Sequence, residues 1–369
     1  MVSLQQFLPR HQHDAAQPAA LPRAGADRGR PADAEPRARH RIAALIAAAV
    51  AGLLAVALDG AAPRTLSVSQ QRLLVDGRDT FLTGVSLFDA LGTVSPRDRD
   101  LEALAGWGVN AVRVWAHWHT AIYQPDGTLS AGGRARLVAL ARRLQNRGIT
   151  FELVILRPGQ LPGRPFALFA SEAARTNAVE AITEAMRPFR NVLFDLCNEH
   201  DHPDGPISHA AARLLRDRVK ALDPQRIVTI SSTEYHLVSA AGTLDANGAR
   251  NLQEEAGSDA NSVRVDIVAP HLPRTDTWAA ATGDRVAAIR AALDRIGARL
   301  PIYLNEERRA SESARLAPET YAQARTGAAS AGAAGWLFHT AAGFELAKKP
   351  FLEALSAEER SGLEGVRSK

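Results

Sequence analysis

SEAARTNAVEAITEAM (171–186) followed by NVLFDLCNE (191–199) is the stretch that decides the fold. The first piece has helical spacing of its apolar residues and Ser171 at its start. The second is a short, continuous apolar run that ends in polar residues. A helix joined by a few residues to a buried strand predicts an αβ unit. Working outward, the same alternation recurs. Strand-like runs are FLTGVSLF (81–88), VNAVRVWAHW (109–118), ITFELVIL (149–156), RIVTISSTE (226–234), VRVDIVAPH (263–271), PIYLNEE (301–307) and AGWLFHT (334–340). Helical patterns lie over 95–108, 135–148, 209–224, 282–300 and 319–332, the first with Ser95 as its expected cap and Pro96 in its first turn. TLSVSQ (65–70) and RLLVDG (72–77) predict a hairpin ahead of the series. Eight strand-like runs separated by helices predict an α/β protein, a (β/α)8 barrel over 65–369 entered through a short β-hairpin. An open doubly wound sheet is the competing architecture. It would carry a Gly-rich turn after its first strand, and GVSLFDALG (84–92) is not one.

What precedes the barrel reads differently. Residues 1–41 are rich in Ala, Pro and Arg and poor in aromatics, a composition expected to be disordered. PRARHR (36–41) then leads into IAALIAAAVAGLLAVAL (42–58), seventeen residues without a charge. As a helix this run would reach roughly 26 Å, close to the thickness of a bilayer's hydrocarbon core. It is expected to be either a transmembrane anchor or the hydrophobic region of a signal peptide with Ala55-Val56-Ala57 as cleavage site; either places the barrel outside the cytoplasm. The net charge of +4 is concentrated here: residues 1–64 hold eight Arg against five acidic groups, and the rest holds 36 basic against 35 acidic groups. A near-neutral body with a basic tail is not a nucleic-acid footprint. The one cysteine, Cys197, excludes an intramolecular disulfide and a Cys-based zinc motif.

In such a barrel chemistry sits at the carboxyl ends of the strands. The polar residues there include His117, His119, Asn198, Glu199, His200, His202, Glu234, His271, Asn305, Glu306, Glu307 and His339. Period-two alternation sets Asp195, Cys197 and Glu199 against Phe194 and Leu196, so Glu199 is expected to reach the rim from inside. Alternation pairs Glu306 with Ile302 and Leu304, so its inward placement needs a bulge. Two carboxyls on runs three apart would face each other across the mouth, the arrangement glycosidic bond hydrolysis needs.

The chain from about 72 to 345 resembles the retaining glycoside hydrolases built on (β/α)8 barrels, especially cellulase-like endoglucanases and mannanases. NVLFDLCNE resembles the strand that ends in an Asn-Glu pair, here Asn198 and Glu199; PIYLNE resembles the strand that ends in the nucleophile, here Glu306. GVNAVRVW carries an Arg matching the one that orients the nucleophile, Arg113; DIVAPH carries the active-site His, His271; GWLF carries the Trp that stacks under the sugar, Trp336. The resemblance implies Glu199 as acid/base, Glu306 as nucleophile, a β-linked poly- or oligosaccharide as substrate, and no cofactor. Two positions depart from the pattern. Pro273 stands where the family often has Tyr, and Glu307-Arg308-Arg309 follow where an aromatic or Gly is common, which leaves Glu307 as an alternative nucleophile.

Two further readings stay open: a catalytically silent, glycan-binding barrel at the cell surface, and a metal-dependent hydrolase using His117-x-His119 and His200-x-His202. Rim histidines that bond substrate or solvent are the preferred reading of both pairs, so no metal is expected. Cys197 is read as small barrel filling. The expected partners are a carbohydrate and, through 42–58 if uncleaved, a membrane.

Overall fold

The apolar runs form a ring of parallel strands. In the computed structural model, residues 64–118, 122–157, 171–239, 241–309 and 317–366 are described; the tail 1–41, the run 42–58 and His119 lie outside them. A hairpin comes first, β1 (Leu66–Ser69) antiparallel to β2 (Arg72–Val75), with β3 (Arg78–Asp79) added to β2. It turns through residues with positive φ, Gln70 and then Asp76 and Gly77. Its Leu66, Leu73 and Val75 pack against Leu82, Ala111, Leu193, Ile227, Ile267 and Tyr303, which plugs the amino-terminal end of the barrel with apolar surface.

The strands are β4 (Leu82–Ser86), β5 (Ala111–Trp115), β6 (Thr150–Leu156), β7 (Val192–Cys197), β8 (Ile227–Thr229), β9 (Ser231–Ser232), β10 (Ala269–Pro270), β11 (Tyr303–Leu304) and β12 (Gly335–Phe338). Seven of them pair in parallel in the order β11-β12-β4-β5-β6-β7-β8. The run that continues from β8 into β9 pairs in parallel with β10, and a parallel bridge from Val268 to Ile302 joins the β10 run to the β11 run. The Tyr303 amide donates to the Val268 carbonyl at 2.9 Å. Eight strand positions thus close on themselves, as the alternation predicts.

Around them lie α1 (Asp98–Gly106), α2 (Ala131–Asn146), α3 (Glu172–Met186), α4 (His209–Leu222), α5 (Ala246–Ala256), α6 (Trp278–Arg295) and α7 (Pro318–Ser330), then the short α8 (Phe351–Ala354) and α9 (Ala357–Gly365). Ser130, Ser171, Ser208 and Asp245 each accept a hydrogen bond from the backbone N–H three residues on, which fixes the starts of α2 to α5. Ser95 does not cap α1. The helix begins three residues later, Asp100 accepts from the Arg97 N–H at 2.8 Å, and Ser95 instead accepts from Arg143. Helix α5 lies within 235–262, a segment that the sequence reads as a loop. Among the described residues no helix is long and apolar enough to cross a membrane.

Outward residues of the strands, such as Val112, Val114, Phe151, Leu153, Phe194 and Leu196, form the layer between sheet and helices. Trp336 belongs to this layer. It is fully buried, edge-on to Phe338, which itself contacts Tyr321 of α7. The expected sugar platform at Trp336 is therefore corrected: alternation along β12 directs Trp336 and Phe338 to the helices, and His339 to the barrel mouth.

Candidate active site

A charged layer fills the middle of the barrel above the apolar plug. Arg113, fully buried on β5, places Nε 2.9 Å from Glu152, Nη2 2.6 Å from Asp195 and Nη1 2.8 Å from Glu306. It also donates to Asn198 Oδ1 at 2.9 Å, Ser231 Oγ at 3.1 Å and the Asn305 carbonyl at 3.2 Å. A buried guanidinium requires this density of acceptors, because its desolvation is otherwise uncompensated. Burial pushes the Glu152 carboxyl up to about 7 despite Arg113, with Asp195 adding repulsion.

Glu199 follows β7 in the left-handed region at φ +49°, a strained conformation for a non-glycine residue. Its amide donates to Ser231 Oγ at 3.2 Å, the next amide donates to the Ser231 carbonyl, and Ser231 Oγ donates to Asp195 at 2.6 Å. These bonds hold the strained turn and aim Glu199 at the mouth. Glu306 arrives by the break in alternation that its position demands. Strand β11 ends at Leu304; Asn305 Nδ2 turns inward to Glu152 at 2.7 Å, and Glu306 turns inward beside it.

His271 lies between the two carboxyls, its Nδ1 3.2 Å from Glu199 Oε1 and its Nε2 3.8 Å from Glu306 Oε2. One oxygen of Glu199 and one of Glu306 lie within 4.8 Å of each other. Arg274 donates to Glu306 Oε1 at 2.9 Å, and His339 Nε2 stands 3.5 Å from the same oxygen. Burial works against a charge on Glu306, yet His271, His339, Arg274 and Arg113 together hold its carboxyl well below the usual range. Glu307 has the opposite fate. It is buried, and desolvation pushes it up to about 8 even with Arg274 and Arg285 near.

Asn198, Glu199, Glu306, Arg274 and His339 line a cleft whose other wall is aromatic. Phe88 stacks on Trp115 at 3.9 Å and on Phe344 at 3.8 Å between ring centroids, and Trp118 tilts against Phe88 at 4.6 Å. Of the four residues expected to bind substrate, only Asn198 reaches the cleft wall. Arg113 and His271 are buried beneath the carboxyls, and Trp336 faces the helices. Sequence reasoning did not single out Arg274, Phe88 or Phe344. Arg274 carried a signal, since it follows the departure at Pro273 and brings a cation to the nucleophile position.

The histidine pairs separate. His117 is buried, with burial and Arg157 pushing its pKa down to about 3, while His202 lines the cleft. His200 is buried away from His202, in a cluster with His209, His236 and Glu255. Among the described residues, this cluster and the group Glu199–His271–Glu306 are the two that bring at least three ligating atoms together. In the second group Arg113 and Arg274 already supply the countercharge to Glu306, which disfavours a metal cation there. Cys197 is buried and free.

No family model and no curated protein matches the sequence. Solved structures do match in fold. A β-mannanase from the blue mussel Mytilus edulis aligns with TM-score 0.55 at 14% identity, covering 84% of this chain and 97% of its own. An endo-1,4-β-mannanase from Rhizomucor miehei aligns with TM-score 0.56 at 11% identity, over 82% and 98%. An exo-β-1,4-mannosidase from Opitutaceae bacterium strain TAV5 aligns with TM-score 0.53 at 18% identity, over 71% and 52%. The fold is the barrel of these glycoside hydrolases.

Proposed function

We propose that the protein is a retaining glycoside hydrolase acting on a β-linked poly- or oligosaccharide of the mannan or glucan class. The observation that carries this reading is the pair of carboxyls in the cleft, with oxygens within 4.8 Å and His271 between them. Retaining enzymes hold the pair about 5–5.5 Å apart, and inverting ones roughly 6.5–9.5 Å apart so that water fits between. The names of the structural neighbours, β-mannanases and a β-mannosidase, point the same way for substrate class.

Glu306, ionised by its cationic neighbours, attacks the anomeric carbon while Glu199 gives its proton to the departing glycosidic oxygen. A glycosyl ester on Glu306 results. Glu199, now a carboxylate, takes a proton from water as that water attacks the anomeric carbon and frees Glu306, with net retention. Arg113, Arg274 and His271 position and charge Glu306. Phe88 and Trp115 are buried within the aromatic stack, so apolar surface for a sugar ring comes from half-buried Phe344 and the edge of Trp118. Glu307 is the poorer nucleophile, being protonated at neutral pH and off the cleft wall. The uncharged apolar run 42–58 behind its basic flank supports an exported barrel, held by an anchor or released from a cleaved signal.

The test is chemical rescue. Glu306→Ala is expected to lose turnover on soluble mannan or glucan and to regain part of it with azide, giving the inverted glycosyl azide. Glu199→Ala is expected to lose polysaccharide hydrolysis far more than hydrolysis of aryl glycosides, whose leaving groups need no proton. Near-normal turnover by Glu306→Ala sinks the assignment, and inactivity of the wild-type protein on every glycoside tried returns the silent, glycan-binding barrel.

A further inference from the structure

One residue beyond Glu199 the chain enters a second polar cluster that the glycosidase reading does not use. His200 follows β7, His209 opens α4, His236 lies between β9 and α5, and Glu255 sits in the last turn of α5. The three imidazole rings pack on one another, with centroids 4.8 Å apart for His200 and His209, 4.9 Å for His200 and His236, and 5.8 Å for His209 and His236. His200 is 2% exposed and Glu255 1% exposed.

Each ring is held from its Nδ1 side. His200 Nδ1 faces the Ile207 carbonyl at 3.2 Å, His209 Nδ1 the Glu254 carboxylate at 2.5 Å, and His236 Nδ1 the Asp201 carboxylate at 3.0 Å. A carbonyl or carboxylate oxygen only accepts, so each Nδ1 carries the proton, and in a neutral ring each Nε2 is then an acceptor. All three Nε2 atoms and Glu255 Oε1 are buried, and with the rings neutral none of them meets a donor. Nε2 of His200 and of His236 stand 3.5 and 3.2 Å from Glu255 Oε1. One ligating atom from each of the four residues lies within 4.8 Å of every other. Four buried acceptors aimed at one another repel unless something positive lies among them; a proton bridges one pair, whereas a divalent cation satisfies all four.

We propose that His200, His209, His236 and Glu255 form a structural zinc site. Three imidazoles and one carboxylate are a donor set that suits zinc, and a tetrahedral site with bonds of about 2.0–2.1 Å has edges of roughly 3.4 Å, close to the two Glu255 contacts. The bonds from each Nδ1 to a carboxylate or carbonyl are the outer-shell pattern that orients metal-binding histidines. Four protein ligands leave no open position, so the ion is structural. It ties the β7–α4 connection to the β9–α5 connection and to α5, and so fixes the strained turn that presents Glu199.

The experiment uses the full chain, dialysed against chelator and titrated with Zn²⁺ alone, followed by calorimetry, metal analysis and thermal unfolding. The expected result is one zinc per chain, a higher Tm with zinc, and at least about a hundredfold weaker binding in His209→Gln and Glu255→Gln. Co²⁺ in the wild-type protein is expected to give the visible absorption of tetrahedral cobalt, which decides the matter if a variant does not fold. Glu199→Gln/Glu306→Gln keeps the zinc, because the catalytic carboxyls are not its ligands. Zinc far below one per chain at saturating metal, as when a proton on His236 bridges Asp201 and Glu255 instead, overturns the proposal. So does undiminished binding by folded His209→Gln and Glu255→Gln, loss of binding in the Glu199/Glu306 double variant, or an octahedral cobalt spectrum. The readout is metal binding, so it fails or succeeds independently of glycosidase activity.

Discussion

Arg113 touches Glu152, Asp195 and Glu306 at once, so its removal leaves three buried carboxyls without their shared cation. From the sequence, Arg113→Ala is expected to abolish activity and leave the fold largely intact; the geometry revises the second half. Breaking a buried pair by deleting one partner costs about 3–5 kcal/mol. Arg113→Ala is therefore expected to lose both activity and that order of stability in denaturant titration, and an unchanged midpoint refutes it. Arg274 separates the two effects, because its side chain is partly exposed and its contact with Glu306 is at the cleft. Arg274→Ala is expected to lower kcat/KM at least about tenfold, in line with a charge-assisted hydrogen bond of roughly 1.5–3 kcal/mol, with little change in Tm. At this scale the sequence is uneven. An Arg on an apolar strand demands a carboxylate, so the pairing of Arg113 with Glu306 was legible. Glu306 itself was not placed by alternation, because β11 stops at Leu304 and alternation stops with it. Trp336 was misplaced although the signal was there: counting back by two from a cleft-lining His339 puts Leu337 inward and Trp336 outward.

Among the elements, α5 shows where sequence pattern gives out. ANGARNLQEEA has few apolar residues, with Gly and Asn near its start, and its helix depends on its surroundings. Asp245 caps it by accepting from Gly248 N at 2.8 Å. Gly248 itself lies so close to the preceding segment that a Cβ there would meet the Leu237 carbonyl oxygen at 2.1 Å. In an open helix Gly→Ala stabilises by up to about 1 kcal/mol. Gly106, at the end of α1, has open space around its missing Cβ and is expected to follow that rule. Gly248→Ala is expected to reverse the sign and destabilise by about 1–3 kcal/mol, since backbone must move to admit the methyl group. Comparing the two variants by thermal unfolding checks it, and a stabilised Gly248→Ala sinks the close-contact account. Helices α2, α3 and α4, each capped by a serine and carrying several large apolar residues, were legible, whereas α5 has Leu252 as its one large apolar residue.

Across the whole molecule, ionisable groups buried by the barrel set how stability depends on pH. Glu307 and Glu152 have pKa values raised by burial to about 8 and about 7, above the ordinary value of 4.5. The folded protein therefore holds protons there that the unfolded chain has released, so their contribution is full below about pH 4.5 and is lost as pH climbs through 7 and 8. His117 is the reverse: with its pKa pushed down to about 3, its contribution is present above pH 6.5 and lost on acidification. Glu306, held well below the usual range, likewise loses its contribution in acid. Between pH 4.5 and 6.5 the histidine and carboxyl contributions oppose one another; above 6.5 only the carboxyl losses remain, so stability is expected to fall between pH 6.5 and 8.5. Of Glu152 and Glu307, Glu307 has the higher pKa and titrates across more of that alkaline window. Its nearest charges, Arg274, Arg285 and Glu234, do not offset its burial. Glu307→Gln carries no proton to lose, so its Tm is expected to stay flatter than wild type from pH 6.5 to 8.5, with glycosidase activity within a few-fold of wild type. Calorimetry at matched ionic strength reads this directly. Parallel Tm curves for the two proteins would mean that Glu307 is already ionised at neutral pH, and with it would go the argument that Glu306 alone is the charged carboxyl of the pair.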